Sequence, residues 1–144
     1  MILQGNLLKT NYENNTVFFR FFSSFFCQSE SSYQSNEREW IGSYSFLARN
    51  KEDLKTSFDI QIIKFDNIIV KYTSDGGKAK TFKSIKGKLE QENKLIVPFD
   101  PQNQEMGIIY IEKDNNMFYI SGSPIYSINP GNDQLPLKKR INQK

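Results

Sequence analysis

Between Trp40 and Ser121, apolar residues alternate with polar ones, and turn signals interrupt the alternation about every 8–12 residues. Side chains of a strand point alternately to its two faces, so this pattern marks half-buried strands. Phe58, Ile60 and Ile62 share one face, while Asp59 and Gln61 share the other. Ile68, Val70 and Tyr72 alternate with Ile69, Lys71 and Thr73; Leu95, Val97 and Phe99 form another set, with Pro98 placing the end of that strand at an edge or bulge. Ile109 and Ile111 oppose Ile108 and Tyr110. Ser74-Asp75-Gly76-Gly77 is a hairpin signal, because glycine supplies the positive φ of tight turns. Phe82 and Ile85 differ in parity, which predicts a bulge between them in a strand covering about Lys80 to Leu89. Met117–Ser121 reads as a returning strand and Pro124–Ile128 as a last short one. No helical period separates these runs, which argues against parallel βαβ units and for an antiparallel meander. About eight such strands can close into a barrel just wide enough for a side-chain core or one small ligand; a sandwich is the alternative.

The first strand carries the single tryptophan. Trp40, Gly42, Tyr44, Phe46 and Ala48 lie on one parity, and Ile41, Ser43, Ser45 and Leu47 on the other. Gly42 lies inside a strand, where glycine costs stability unless a bend or a close contact needs it. The pattern Trp40-x-Gly42-x-Tyr44-x-Phe46 resembles the opening strand of small lipocalin-like barrels of bacterial envelopes. The resemblance covers Trp40 to about Arg140 and implies an all-β fold: an antiparallel meander of about eight strands closing into a lipocalin-like barrel. It also implies Trp40, Tyr44 and Phe46 as the lining of an internal cavity, and a periplasmic or cell-envelope location.

Ahead of that domain, residues 1–37 form a separate segment, with the barrel assigned to 38–144. The run from Val17 to Cys27 holds six of the 12 phenylalanines. As the apolar core of a secretion signal it has a fitting length, with Cys27 and Ser29 at the cleavage-site positions. Cys27 is alternatively the lipidated cysteine of a lipoprotein, although Phe26 stands where a small residue is wanted. As a helix, Phe18, Phe19, Phe22, Phe25 and Phe26 gather on one side and Arg20, Ser23 and Ser24 on the other. The serine-rich tract 28–37 is a linker under either reading. If residues 1–28 are not a signal, the chain is cytoplasmic instead.

The chemistry is sparse. There is no histidine and one cysteine, so serine–histidine and cysteine–histidine catalysis, His/Cys zinc sites and an internal disulfide are all excluded. The acidic pairs Glu37/Glu39, Glu52/Asp53 and Glu90/Glu92 fall in linker or turns, where solvated charge belongs. Asp75-Gly76-Gly77 has no following helix to make a phosphate loop. No enzyme, cofactor or metal is expected.

The most distinctive charged feature is Lys78, Lys80, Lys83, Lys86 and Lys88, with no acid before Glu90. Lysines of this kind shield a strand edge from unwanted pairing; they also suit docking to an acidic partner. Net charge is +3 and aromatics are not interleaved along the run apart from Phe82, so nucleic acid is not expected. Leu137-Lys138-Lys139-Arg140 reads as a second basic spot on a frayed terminus. The expected function is non-catalytic binding, most directly of another protein with an acidic surface, as inhibitors and toxin-immunity proteins do. A carrier for a small apolar ligand and a structural subunit of a larger assembly are the alternatives. Membrane contact is expected only through an N-terminal anchor.

Overall fold

In the computed structural model, residues 37–131 and 134–140 are described. The phenylalanine-rich run and Cys27, on which the signal, lipidation and amphipathic-helix readings rest, lie outside the described residues.

A helical turn at 37–40 precedes β1 (Gly42–Arg49). There follow β2 (Lys55–Lys64), β3 (Asn67–Thr73), β4 (Lys80–Ile85), β5 (Lys88–Gln91) and β6 (Lys94–Pro98). Then come β7 (Ile108–Asp114), β8 (Met117–Ser121), the helix α1 (Ser123–Ile128) and β9 (Leu135–Arg140). All pairings are antiparallel, and the nine strands form one sheet in the order β4-β3-β2-β1-β9-β8-β7-β6-β5. The sheet curls into a half-barrel. β1 and β9 pair with each other, so the free edges are β4 and β5, which are neighbours in sequence.

Only Lys86 and Gly87 join those two edges. A Cβ at Gly87 would lie 2.7 Å from Ile68 Cδ1 and 3.2 Å from Leu95 Cδ1, so the corner is threaded between β3 and β6 where only glycine fits without displacement. The Gly87 N–H donates to Phe65 O at 2.7 Å, tying the corner to the β2–β3 turn. The predicted bulge is present just before it. Phe82 pairs with Val70 and Ile85 with Ile68, and Ser84 takes a positive φ of 57°. Pro98 ends β6 beyond the reach of β5, whose pairing with that strand stops at Lys88↔Ile96.

One core fills the inside of the curl. Trp40, Phe58, Ile60, Ile62, Ile68, Val70, Leu95, Val97, Phe99, Ile109, Ile111 and Ile120 are all buried in it. Aromatic contacts knit it at two places. Trp40 and Tyr44 meet Phe118 edge-on, at ring-centre distances of 5.9 and 5.0 Å. Phe99 contacts Phe58 at 5.5 Å, Tyr72 at 5.3 Å and Phe82 at 5.4 Å. Phe99 follows β6, whereas its three partners lie on β2, β3 and β4, so the contact joins strands remote from one another in the sheet order.

Four features differ from the sequence reading. Trp40 ends the helical turn at 37–40 and Gly42 begins β1, so neither lies inside a strand, and Lys80–Leu89 is not one strand but β4 and the start of β5, joined by the Lys86–Gly87 corner. Pro124–Ile128 is part of a helix, not a strand: a proline in the first turn suits a helix start, and the run packs Pro124 and Ile125 inward. Leu137–Arg140 is not a frayed tail but part of β9, in the middle of the sheet. β9 pairs with β8 through Leu135, Pro136 and Leu137, and with β1 through Lys138, Lys139 and Arg140.

Candidate functional sites

The five lysines of the predicted basic stretch are all exposed and fall on the two edges and their connection. Lys80 and Lys83 lie on β4, Lys88 begins β5, Lys86 sits in the corner between them, and Lys78 is in the preceding loop. None of the five makes an ion pair among the described residues. The next acid along the chain, Glu90, is held by Lys94 at 3.1 Å. Lys71 adds to the same positive surface: it lies opposite Thr81 on one side and Asp59 on the other, and Asp59 is bonded to Arg140 at 2.8 Å. The bent connection at Gly87 therefore sets Lys86 between the β4 edge, which carries Lys80 and Lys83, and Lys88 at the start of the β5 edge.

Trp40, Tyr44 and Phe46, expected as cavity lining, are 1%, 1% and 6% exposed. They pack against Phe65, Phe118 and Phe58. The Tyr44 hydroxyl donates to Trp40 O at 2.6 Å, and burial pushes its pKa up. Gly42 separates the two aromatics with φ at 150°, and a Cβ there would stand 2.9 Å from Lys139 Cε. Gly42 begins β1 rather than lying inside it, and the close contact at this glycine is the Lys139 side chain. Its ammonium lies 5.4 Å from the Tyr44 ring centre and 5.0 Å from that of Phe118, and it donates to Glu39 O at 2.7 Å. Burial lowers the Lys139 pKa, and nearby Lys113 lowers it further. Lys113 pairs with the Glu39 carboxylate, whose pKa is lowered by that hydrogen bond.

A third site had no counterpart in the sequence reading. On the outer face of β6, β7 and β8 lies an open cleft of about 740 Å³. Lys94, Tyr110 and Glu112 form its floor, with Ser121 opposite Tyr110 in the β7–β8 register. α1 supplies Ser123 and Tyr126, and Gln134 comes from the approach to β9. The Lys94 ammonium sits 4.7 Å from the Tyr110 ring centre and 4.0 Å from the Glu112 carboxylate. Gln134 donates its side-chain amide to Glu112. Contact with Glu90 raises the Lys94 pKa. These residues are scattered over three strands, a helix and a loop, so no local motif unites them. The one signal in the sequence is that Ile96, Ile108, Tyr110 and Tyr119 stand at outward positions where a solvated sheet face would be more polar.

No family model matches the chain, and no curated protein or solved structure matches it. Among the described residues there is no group of three or more acidic or cysteine side chains that could hold a metal ion, and no helix is long and apolar enough to cross a membrane.

Proposed function

We propose that this chain is a non-catalytic, protein-binding barrel of lipocalin-like type that docks an acidic partner on its lysine rim, in the manner of an inhibitor or immunity protein. One observation carries the reading: five lysines in residues 78–88 stand exposed, without an ion pair among the described residues, three on the two edge strands of one curled sheet, one in the corner between them and one in the loop before β4. Charge placed this way steers an oppositely charged surface into contact and raises the association rate, an effect that salt screens. It also blocks the β4 and β5 edges against indiscriminate strand addition, so docking through side chains is favoured over pairing through the backbone.

The test is affinity capture from extract of the native host, with the full chain and its Lys83→Glu/Lys86→Glu variant. The wild type retains a partner with an acidic surface, and the double variant binds that partner at least about tenfold more slowly at low salt, with the gap narrowing at high salt. Equal capture and equal rates at both salt levels would discard the reading.

The carrier alternative requires Trp40, Tyr44 and Phe46 to part around a guest. Saturable one-to-one uptake of an apolar fluorescent probe, abolished by filling that space with a larger side chain, is its signature. The envelope location is tested separately by intact mass from the native host. Loss of about 28 residues, or a lipid on Cys27, supports export; an unprocessed N-terminus supports the cytoplasmic alternative.

A further inference from the structure

The geometry points to the outer cleft between α1 and strands β6–β8 as a binding site for a neutral oligosaccharide, with Tyr126 as its stacking surface and Tyr110, over whose ring the Lys94 ammonium sits, as part of its floor. This proposal is independent of the lysine rim and uses a different set of residues.

The lining chemistry selects the ligand class. Lys94 offers only donors, Glu112 only acceptors, and Gln134, Ser121 and Ser123 offer both. A ligand that satisfies this set must give and accept many hydrogen bonds within a small area, as vicinal hydroxyls do. Lys94, Glu112 and Gln134 already pair in part with one another, and a purely apolar ligand would strip water from their remaining donors and acceptors, which is costly. Charge excludes a phosphate or other strong anion as the preferred guest. Glu112 stands 4.0 Å from the Lys94 ammonium and Glu90 stands 3.1 Å away, so the cation is already compensated.

The walls add the apolar half of the recognition. Tyr126 is 54% exposed although it belongs to a helix whose Pro124 and Ile125 are buried. α1 is seated on the sheet at Gly122, where φ is 120° and a Cβ would meet Ile108 O at 2.6 Å. That seating holds the Tyr126 ring beside the sheet face that carries Tyr110. A tyrosine ring presents a flat apolar surface with a polar tip, which suits a pyranose with one face of C–H groups and a rim of hydroxyls.

The location disfavours an extended peptide. β6, β7 and β8 each have hydrogen-bonded neighbours on both sides, so this face has no free backbone ladder for a peptide strand to join. The volume of about 740 Å³ lies within the size range of small-molecule sites, and the cleft opens to solvent, so a sugar within a longer chain could enter.

The experiment uses the full chain and four neutral probes: maltotriose, cellotriose, mannotriose and chitotriose, with a sulfated trisaccharide as the anionic control. Binding is followed by NMR shift changes of backbone amides and tyrosine rings up to about 10 mM sugar, a range that covers millimolar dissociation constants. At least one neutral trisaccharide is expected to saturate a single site that perturbs Tyr110, Ser121 and Tyr126. Tyr126→Ala, at an exposed position where folding is retained, should weaken it about tenfold or more. Glu112→Gln, which keeps the shape but replaces one carboxylate oxygen by a donor, should weaken it by a smaller factor of about three or more. Lys83→Glu should leave it unchanged. The proposal is overturned if none of the four neutral sugars shifts these signals, if only the sulfated sugar binds, or if binding survives Tyr126→Ala undiminished.

Discussion

Tyr44 shows how one side chain ties sequence pattern to stability. Its parity with Phe46 in β1 puts it inside, and its ring packs on Phe118 at 5.0 Å. Its hydroxyl has one buried acceptor, Trp40 O at 2.6 Å. Tyr44→Phe keeps the ring and strands that carbonyl, so a loss of about 1–3 kcal/mol is expected in urea unfolding. The pH dependence has a fixed sign. The phenol's folded pKa lies above its usual value of 10.0 because burial disfavours the charged form. Above pH 10 the unfolded chain therefore releases a proton that the folded chain keeps, and stability falls as pH rises. Below pH 10 the group contributes no slope. Tyr44→Phe should flatten the alkaline limb of a stability–pH curve, and an unchanged limb would show that another group sets it. Alternation made the burial of Tyr44 legible; a close contact was expected at Gly42 as a glycine inside a strand, whereas Gly42 begins β1 and Trp40 belongs to the helical turn before it. The partner, Lys139, was not legible, because it comes from a strand whose inward positions are Leu135, Leu137 and Lys139. A lysine on the inward parity hides the period. It is tolerated because it lies at the end of the strand, over the rings of Tyr44 and Phe118.

At the level of elements, the strands with two or three inward apolar residues were readable, and the exceptions have physical causes. α1 spans Ser123–Ile128 and is too short to display a helical period, so Ile125, Tyr126 and Ile128 looked like strand residues. β4 and β5 read as one strand, because the sequence shows the bulge but not that Gly87 turns the chain from β3's side to β6's. The cleft was invisible for the related reason that its parts meet only once α1 is placed on β7 and β8. The contact that holds the two edge regions together is Phe99 on Phe82, at 5.4 Å and 74° between rings. Phe99→Ala should cost about 3–5 kcal/mol. A double-mutant cycle with Phe82→Ala should return a coupling of about 0.5–1.5 kcal/mol. Coupling near zero in chemical denaturation would mean that the break between β4 and β5 is not bridged by this pair.

At the level of the whole fold, β9 is the strand on which both halves depend. It donates its first three residues to β8 and its last three to β1. Removing residues 135–144 should expose the β1 and β8 edges together and uncover the core around Leu137, which is 4% exposed. Loss of cooperative thermal unfolding, read by near-ultraviolet circular dichroism through Trp40, is the expected result. A sharp transition in the truncated chain would show instead that one half folds without the other. Composition and turn spacing sufficed for the antiparallel meander, since each neighbour contact except β1–β9 is local in sequence. The β1–β9 pairing joins Gly42–Arg49 to a strand near residue 140, and no local pattern encodes it.

That same pairing sets an order of events during synthesis. β2 can fold back on β1, β3 on β2 and β4 on β3 as they leave the ribosome, because each follows its partner by a short connection. The other flank of β1 must wait until Lys138, Lys139 and Arg140 have been made. Translation delivers these residues about 5–20 s after β1 at typical elongation rates. Throughout that interval Tyr44 and Phe46 stand beside an unpaired strand, with Phe118 not yet in place for most of it. One flank of β1 is thus covered within a few residues of its synthesis, while the other stays open until seven further strands have been made and β9 can close it.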